Sequence, residues 1–244
     1  MFRTSNPTLK DRVFDSVSGS GVMTLNGTIA KTGILLAVLA ATSAYGWIAH
    51  SMGLLILGMI GGIALAIATC VKPQWAPVTA LLYAMFEGLA VGTISVIYAE
   101  QMAKTQYAGA VPLAILGTLA VLAVMLVLYV TRITKVNQTF MVVVFGATAA
   151  IGLTYLVTML GGMFFPQMWG MAIYRSGPIG LLFSAVVIVV AALNLALDFQ
   201  TIETGIQRKA PKFMEWYAGF GLLVTLIWLY LEILRLLSKL ADRR

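Results

Sequence analysis

The sequence predicts an all-α integral membrane protein, a bundle of seven transmembrane helices. Three observations predict it. Apolar residues make up 60% of the 244 and charged residues only 10%, against roughly 25% charged in soluble domains. The mean hydropathy is +0.94, more apolar surface than one water-facing globule can hide. The apolar residues fall into seven runs close to the roughly 20 residues a spanning helix needs.

The runs cover 33–49, 51–71, 77–99, 109–131, 139–161, 178–200 and 216–237. His50-Ser51 separates the first two so tightly that they must form a hairpin. Lys72-Pro73 ends the second, since proline cannot continue a helix. Glu100 to Lys104 ends the third, and Arg132 to Lys135 ends the fourth. The loop from Phe165-Pro166 to Gly177-Pro178 follows the fifth, and Arg208 to Lys212 the sixth. No internal repeat is convincing, although three helices, the Arg132–Lys135 loop and three more helices suggest pseudo-symmetry. Gly58-x-x-x-Gly62, Gly88-x-x-x-Gly92 and the small residues from Ala147 to Gly152 read as helix-packing surfaces.

The net charge of +7 sits in short loops and at the ends, a signature of topology rather than of nucleic-acid binding. Residues 1–28 form a polar cytoplasmic segment with no apolar core of a signal peptide, and residues 29–244 form the transmembrane domain. A cytoplasmic N-terminus puts ten of the sixteen cations inside, among them Lys31, Lys72, Arg132, Arg208, Lys209 and Lys212. The C-terminal Arg235, Lys239, Arg243 and Arg244 would then lie outside, so the last helix either crosses or is re-entrant. Its length favours crossing. The location expected is a membrane crossed several times, with the N-terminus cytoplasmic.

Enzymatic chemistry fails on inventory. His50 is the single histidine, so neither a zinc site nor H-E-x-x-H can be written. No G-x-S-x-G elbow exists, and Asp198 is the one aspartate within a span, whereas an aspartyl protease needs two. Cys70, the single cysteine, excludes a disulfide framework. The expectation is a non-enzyme with no resident cofactor, passing at most a transient cation.

Three acids remain inside the runs: Glu87, Asp198 and Glu232. A charge at bilayer depth costs about 2.5–3.5 kcal/mol and marks a pathway or relay by default. Each has a bland alternative: Asp198 as a helix-end anchor, Glu87 as a protonated packing residue, Glu232 as a partner of Arg235 three residues on. Glu232, Arg235, Lys239 and Asp242 form one polar stripe on a helix leaving the membrane. At 1.5 Å per residue, Asp198 lies about 10 Å in from the cytoplasmic end, Glu87 about 15 Å, Thr225 about 14 Å and Glu232 about 24 Å. Asp198 and Glu87 therefore share a layer, with Asn194 and Thr225 as neutral oxygen ligands. Two carboxylates there would titrate as a unit. Deprotonated, they attract a hard cation, for which oxygen ligands are suited, making Asp198 and Glu87 candidate metal ligands. Protonated, they form a hydrogen-bonded latch.

These motifs are similar to a known family. Leu195 to Ile202, L-A-L-D-F-Q-T-I, resembles the acid-bearing signature of the Bax inhibitor-1 family. Phe86-Glu87-Gly88-Leu89 resembles the E-G-L stretch of its bacterial YccA-like members, and residues 215–240 resemble its last helix. The resemblance spans about residues 30–240. It implies two three-helix layers around a central C-terminal helix, and a pH-sensitive calcium leak gated by an aspartate pair. Asp198 matches the first aspartate. Aligned on L-Y-L-[DE], the second position is Glu232; aligned on Leu234-Arg235-Leu236, it is Thr225. Periodicity cannot choose, since the two are seven residues apart, and depth prefers Thr225. The family also implies an alternative, an interaction protein restraining a membrane-bound ATP-dependent protease. Residues 1–28 and the Gln207-Arg208-Lys209 loop would then be contact surfaces, although such charges also hold anionic headgroups at about 1 kcal/mol each.

Overall fold

The computed structural model describes residues 21–134, 136–164 and 176–242. The expectations placed on residues 1–20, on Lys135, on the Phe165–Pro166 end of its loop and on Arg243 and Arg244 lie outside them. Seven helices among the described residues are long and apolar enough to cross a membrane. They are α1 (Leu25–Ala49), α2 (Met52–Val71), α3 (Ala76–Met102), α4 (Ala110–Val130), α5 (Gln138–Phe164), α6 (Pro178–Gln207) and α7 (Met214–Ala241). A 3₁₀ turn, Pro73–Trp75, leads into α3. The multi-pass helical membrane architecture read from the sequence is therefore present.

Local chemistry accounts for the boundaries. The Thr24 hydroxyl accepts the Gly27 N–H at 3.0 Å and caps α1. The helix thus begins at Leu25, eight residues before the first apolar run, because a capping residue rather than hydropathy starts it. His50 ends α1 in the left-handed region at φ 44°, its N–H donating to the Gly46 carbonyl. That conformation is uncommon outside glycine and reverses the chain within two residues. Arg132 and Lys209, also at positive φ, close α4 and α6. Asn137 accepts the Phe140 N–H at 2.7 Å, so its side chain serves as the α5 cap.

The chain forms two compact units, Met1–Ile94 with Gln200–Val224 and Ser95–Phe199 with Thr225–Arg244. Helices α3, α6 and α7 each contribute to both.

In the first unit, α3 packs against α1 and α2 through glycines. A β-carbon at Gly46 would stand 2.5 Å from the Leu89 carbonyl oxygen. One at Gly58 would stand 2.6 Å from that of Phe86 and 2.8 Å from the Ala90 nitrogen. Gly88 meets Thr42, Gly92 the Ser43 carbonyl, and Gly62 the Glu87 carboxylate. Both G-x-x-x-G stretches thus permit close backbone approach, the main source of helix association where lipid removes the hydrophobic drive. Gly152 behaves differently. Nothing stands within 4 Å of its missing β-carbon, so the stretch from Ala147 to Gly152 is only partly a packing surface: Ala147 and Ile151 pack with Val187 and Val190, and Gly152 does not take part.

The first unit also carries a polar clasp. Met23 N–H donates to the Ala210 carbonyl at 2.8 Å and Lys212 N–H to that of Gly21 at 3.1 Å, tying the entry to α1 onto the α6–α7 loop. Glu215, 1% exposed, accepts from the Thr24 N–H at 3.0 Å and the Thr24 hydroxyl at 2.9 Å. It also pairs with Lys31 at 2.8 Å.

In the second unit, Leu234 packs with Met102, Ala110, Ala114 and Ala241. Trp228, Tyr155 and Phe183 pack around Ile151, Val187 and Val190. Elsewhere large apolar side chains point outward: Ile60, Leu116, Val143 and Leu182 are among many that are well exposed. In a bilayer, such outward side chains face acyl chains as apolar as themselves.

Candidate functional site

The candidate site is built on the middle of α6, in the second unit. Asn194 and Asp198 stand one turn apart, on the same face. Thr225, near the middle of α7, donates its hydroxyl to the Asp198 carboxylate. Asp198 Oδ2 is buried, and among the described residues no donor reaches it. A buried carboxylate oxygen with no donor is costly, so it calls for a proton or a cation.

Asn194 is held from two sides. Its Nδ2 donates to the Thr148 hydroxyl oxygen of α5 at 2.8 Å and to the Val190 carbonyl at 2.9 Å. Thr148 in turn donates to the Val144 carbonyl at 2.8 Å. Phe199, next to Asp198 in the chain, packs its ring against that of Tyr129 with centroids 5.6 Å apart.

The other sequence-derived candidates have separate surroundings. Glu87 belongs to the first unit, where its carboxylate occupies the space left by Gly62, close to Tyr83. Glu232 belongs to the second unit and is 1% exposed. It pairs with Arg235 at 2.8 Å and accepts from the Tyr155 hydroxyl at 2.8 and 3.0 Å. Arg235 also donates to the Tyr155 oxygen at 2.6 Å. Of the two positions competing for the second aspartate, Thr225 is the one bonded to Asp198, while Glu232 is engaged by Arg235 and Tyr155.

The polar stripe of α7 is divided: Asp242, at its end, is exposed, whereas Glu232 and Lys239 are buried. Lys239 is 4% exposed and donates to the Gly180 carbonyl at 3.0 Å and the Ser184 hydroxyl at 2.9 Å of α6. Periodicity locates a stripe but not the neighbour it turns toward. Among the described residues no cluster of three or more His, Cys, Asp or Glu residues is placed to hold a metal. A cation at Asp198 would therefore draw on neutral oxygens for most of its ligands.

Sequence reasoning missed Thr148, Tyr155, Glu215 and Lys239 as members of buried polar networks. Glu215 was legible in principle: an acid in the first turn of a helix, beside a loop rich in cations. Threonine carries no such signal, since an isolated threonine hydroxyl in an apolar helix usually bonds its own backbone, and tyrosine carries none because its ring reads as ordinary packing.

No curated protein matches the chain. A family model described as Bax inhibitor 1 like matches residues 4–242. With seven helices among the described residues long and apolar enough to cross a membrane, and a match over nearly its whole length, the chain belongs to the Bax inhibitor 1 like family.

Proposed function

We propose that the protein is a pH-sensitive cation leak of a bacterial inner membrane, with calcium as the hard cation and Asp198 as its gate acid. The observation that supports this reading is the buried Asp198 Oδ2 with no donor among the described residues, beside a carboxylate oxygen held by Thr225. A charged carboxylate there attracts a divalent cation, and oxygen ligands suit calcium. A protonated one needs no cation and leaves the path shut. Leak therefore rises with pH. Asn194 supplies a neutral amide, and Thr225 replaces the family's second aspartate, so this gate carries one negative charge fewer than a paired site. Fewer charges mean weaker binding. Arg235 neutralises Glu232, which takes no part, and the chain catalyses no reaction. The N-terminus is cytoplasmic.

The test is calcium flux from loaded liposomes containing the purified protein, at about pH 6 and about pH 8. Asp198→Asn abolishes the pH-dependent component, and Glu87→Gln reports whether the acid of the first unit takes part. Equal leak from wild type and Asp198→Asn at both pH values refutes the reading.

A second reading, a non-conducting protein that restrains a membrane-bound ATP-dependent protease, draws on one observation. Residues 21–23 are bonded to residues 210–212, at the basic turn between α6 and α7. Loss of protease co-purification on removal of residues 1–20, with liposome leak absent throughout, selects this reading.

A further inference from the structure

Thr148 has a single hydroxyl proton, and it is directed to the Val144 carbonyl of its own helix at 2.8 Å. Its oxygen can then only accept from Asn194. That settles the orientation of an amide whose two ends otherwise differ little in shape. The Asn194 NH₂ faces Thr148 at 2.8 Å and the Val190 carbonyl, one turn back, at 2.9 Å. Both of its protons are thereby engaged. The amide oxygen is the end that neither acceptor holds, on a residue that shares a helical face with Asp198 one turn on. An unconstrained asparagine would present either end to that face, and its NH₂ would repel a cation.

We propose that Thr148 is a positioning residue for the gate: together with the Val190 carbonyl it fixes the Asn194 amide so that the carbonyl oxygen, rather than the NH₂, serves a calcium ion at Asp198. The assignment rests on the cation-leak reading and adds to it the ligand polarity of the site and the residue that enforces it. Three helices then cooperate, with α5 orienting the ligand, α6 carrying it and the acid, and α7 holding the acid through Thr225. The arrangement parallels outer-shell partners of metal ligands, whose removal typically costs about 10- to 100-fold in metal affinity.

The experiment measures calcium flux into liposomes as a function of calcium concentration, separating the half-saturating concentration from the maximal rate. Thr148→Val keeps the shape and removes the acceptor. It raises the half-saturating concentration about tenfold or more, with the maximal rate nearly unchanged. Thr148→Ser keeps the hydroxyl and stays at the wild-type value. Asn194→Leu matches Thr148→Val, and the two together add nothing further, because they remove the same ligand. Where the valine variant does not assemble, Thr148→Cys, a poor acceptor of similar size, gives the same shift in smaller degree. Wild-type half-saturation in both the valine and cysteine variants overturns the proposal, as does an equal loss in the serine variant, which would point to packing. Saturable flux that is insensitive to Asp198→Asn overturns the underlying leak reading instead.

Discussion

Replacing Glu215 by glutamine removes one charge from the clasp at the start of α7 while keeping its shape. The Lys31–Glu215 contact is 2.8 Å long, with the lysine side chain 21% and the glutamate 1% exposed. At an effective dielectric of about 20 the bare attraction at that distance is about 6 kcal/mol, but desolvation of both ions offsets much of it. The amide also turns an NH₂ toward a site whose neighbours, the Thr24 N–H, the Thr24 hydroxyl and Lys31, are all donors. Breaking one side of a buried pair costs about 3–5 kcal/mol. For a chain of this size each kcal/mol moves the melting temperature by about 2–4 °C, so Glu215→Gln lowers it by roughly 10 °C. Lys31→Met lowers it less, since Thr24 still satisfies the carboxylate. The double variant is less destabilised than the two single losses added together. Thermal unfolding of the detergent-solubilised protein at one scan rate reads all three. A melting temperature within about 2 °C of wild type for Glu215→Gln, or strict additivity in the double variant, refutes the clasp as a stabilising unit.

Three other variants test the packing and the α7 network. Gly58→Ala forces a β-carbon against the Phe86 and Ala90 backbone and destabilises by about 1–3 kcal/mol. Gly152→Ala, in open space, is neutral or stabilising in the same thermal assay. Tyr155→Phe removes the donor to Glu232 and the acceptor of Arg235, costing about 1–3 kcal/mol, and calcium flux through the Asp198 site is unchanged.

The helix boundaries and the glycine contacts show where sequence reasoning stops. Hydropathy placed seven spans correctly because lipid forces every backbone group into a helix, and a run of about 20 apolar residues has no other stable form there. It placed the start of α1 late, since the Thr24 cap extends that helix into residues too polar for a hydropathy window. Gly58 and Gly62 read as packing residues because close approach leaves a spacing in the chain. Gly152 looked the same, yet faces open space.

Among the buried polar groups the division is sharper. Asp198, Glu87 and Glu232 stand out from the chain alone, since a carboxylate in an apolar run is conspicuous and expensive. Which neighbour answers each of them is a matter of three dimensions. Thr225 and Glu232 lie seven residues apart on one helical face, so no periodicity separates them. The packing of α7 against α6 gives Thr225 to Asp198, and the Tyr155 hydroxyl and Arg235 take Glu232. The amide of Asn194 likewise has no orientation in the sequence and acquires one from Thr148, 46 positions away. Composition dictates that these helices sit in a membrane, because transfer free energy sums along a chain. The partner of a single hydroxyl or carboxylate depends on ångström-scale distances between helices, and those arise only when the bundle closes.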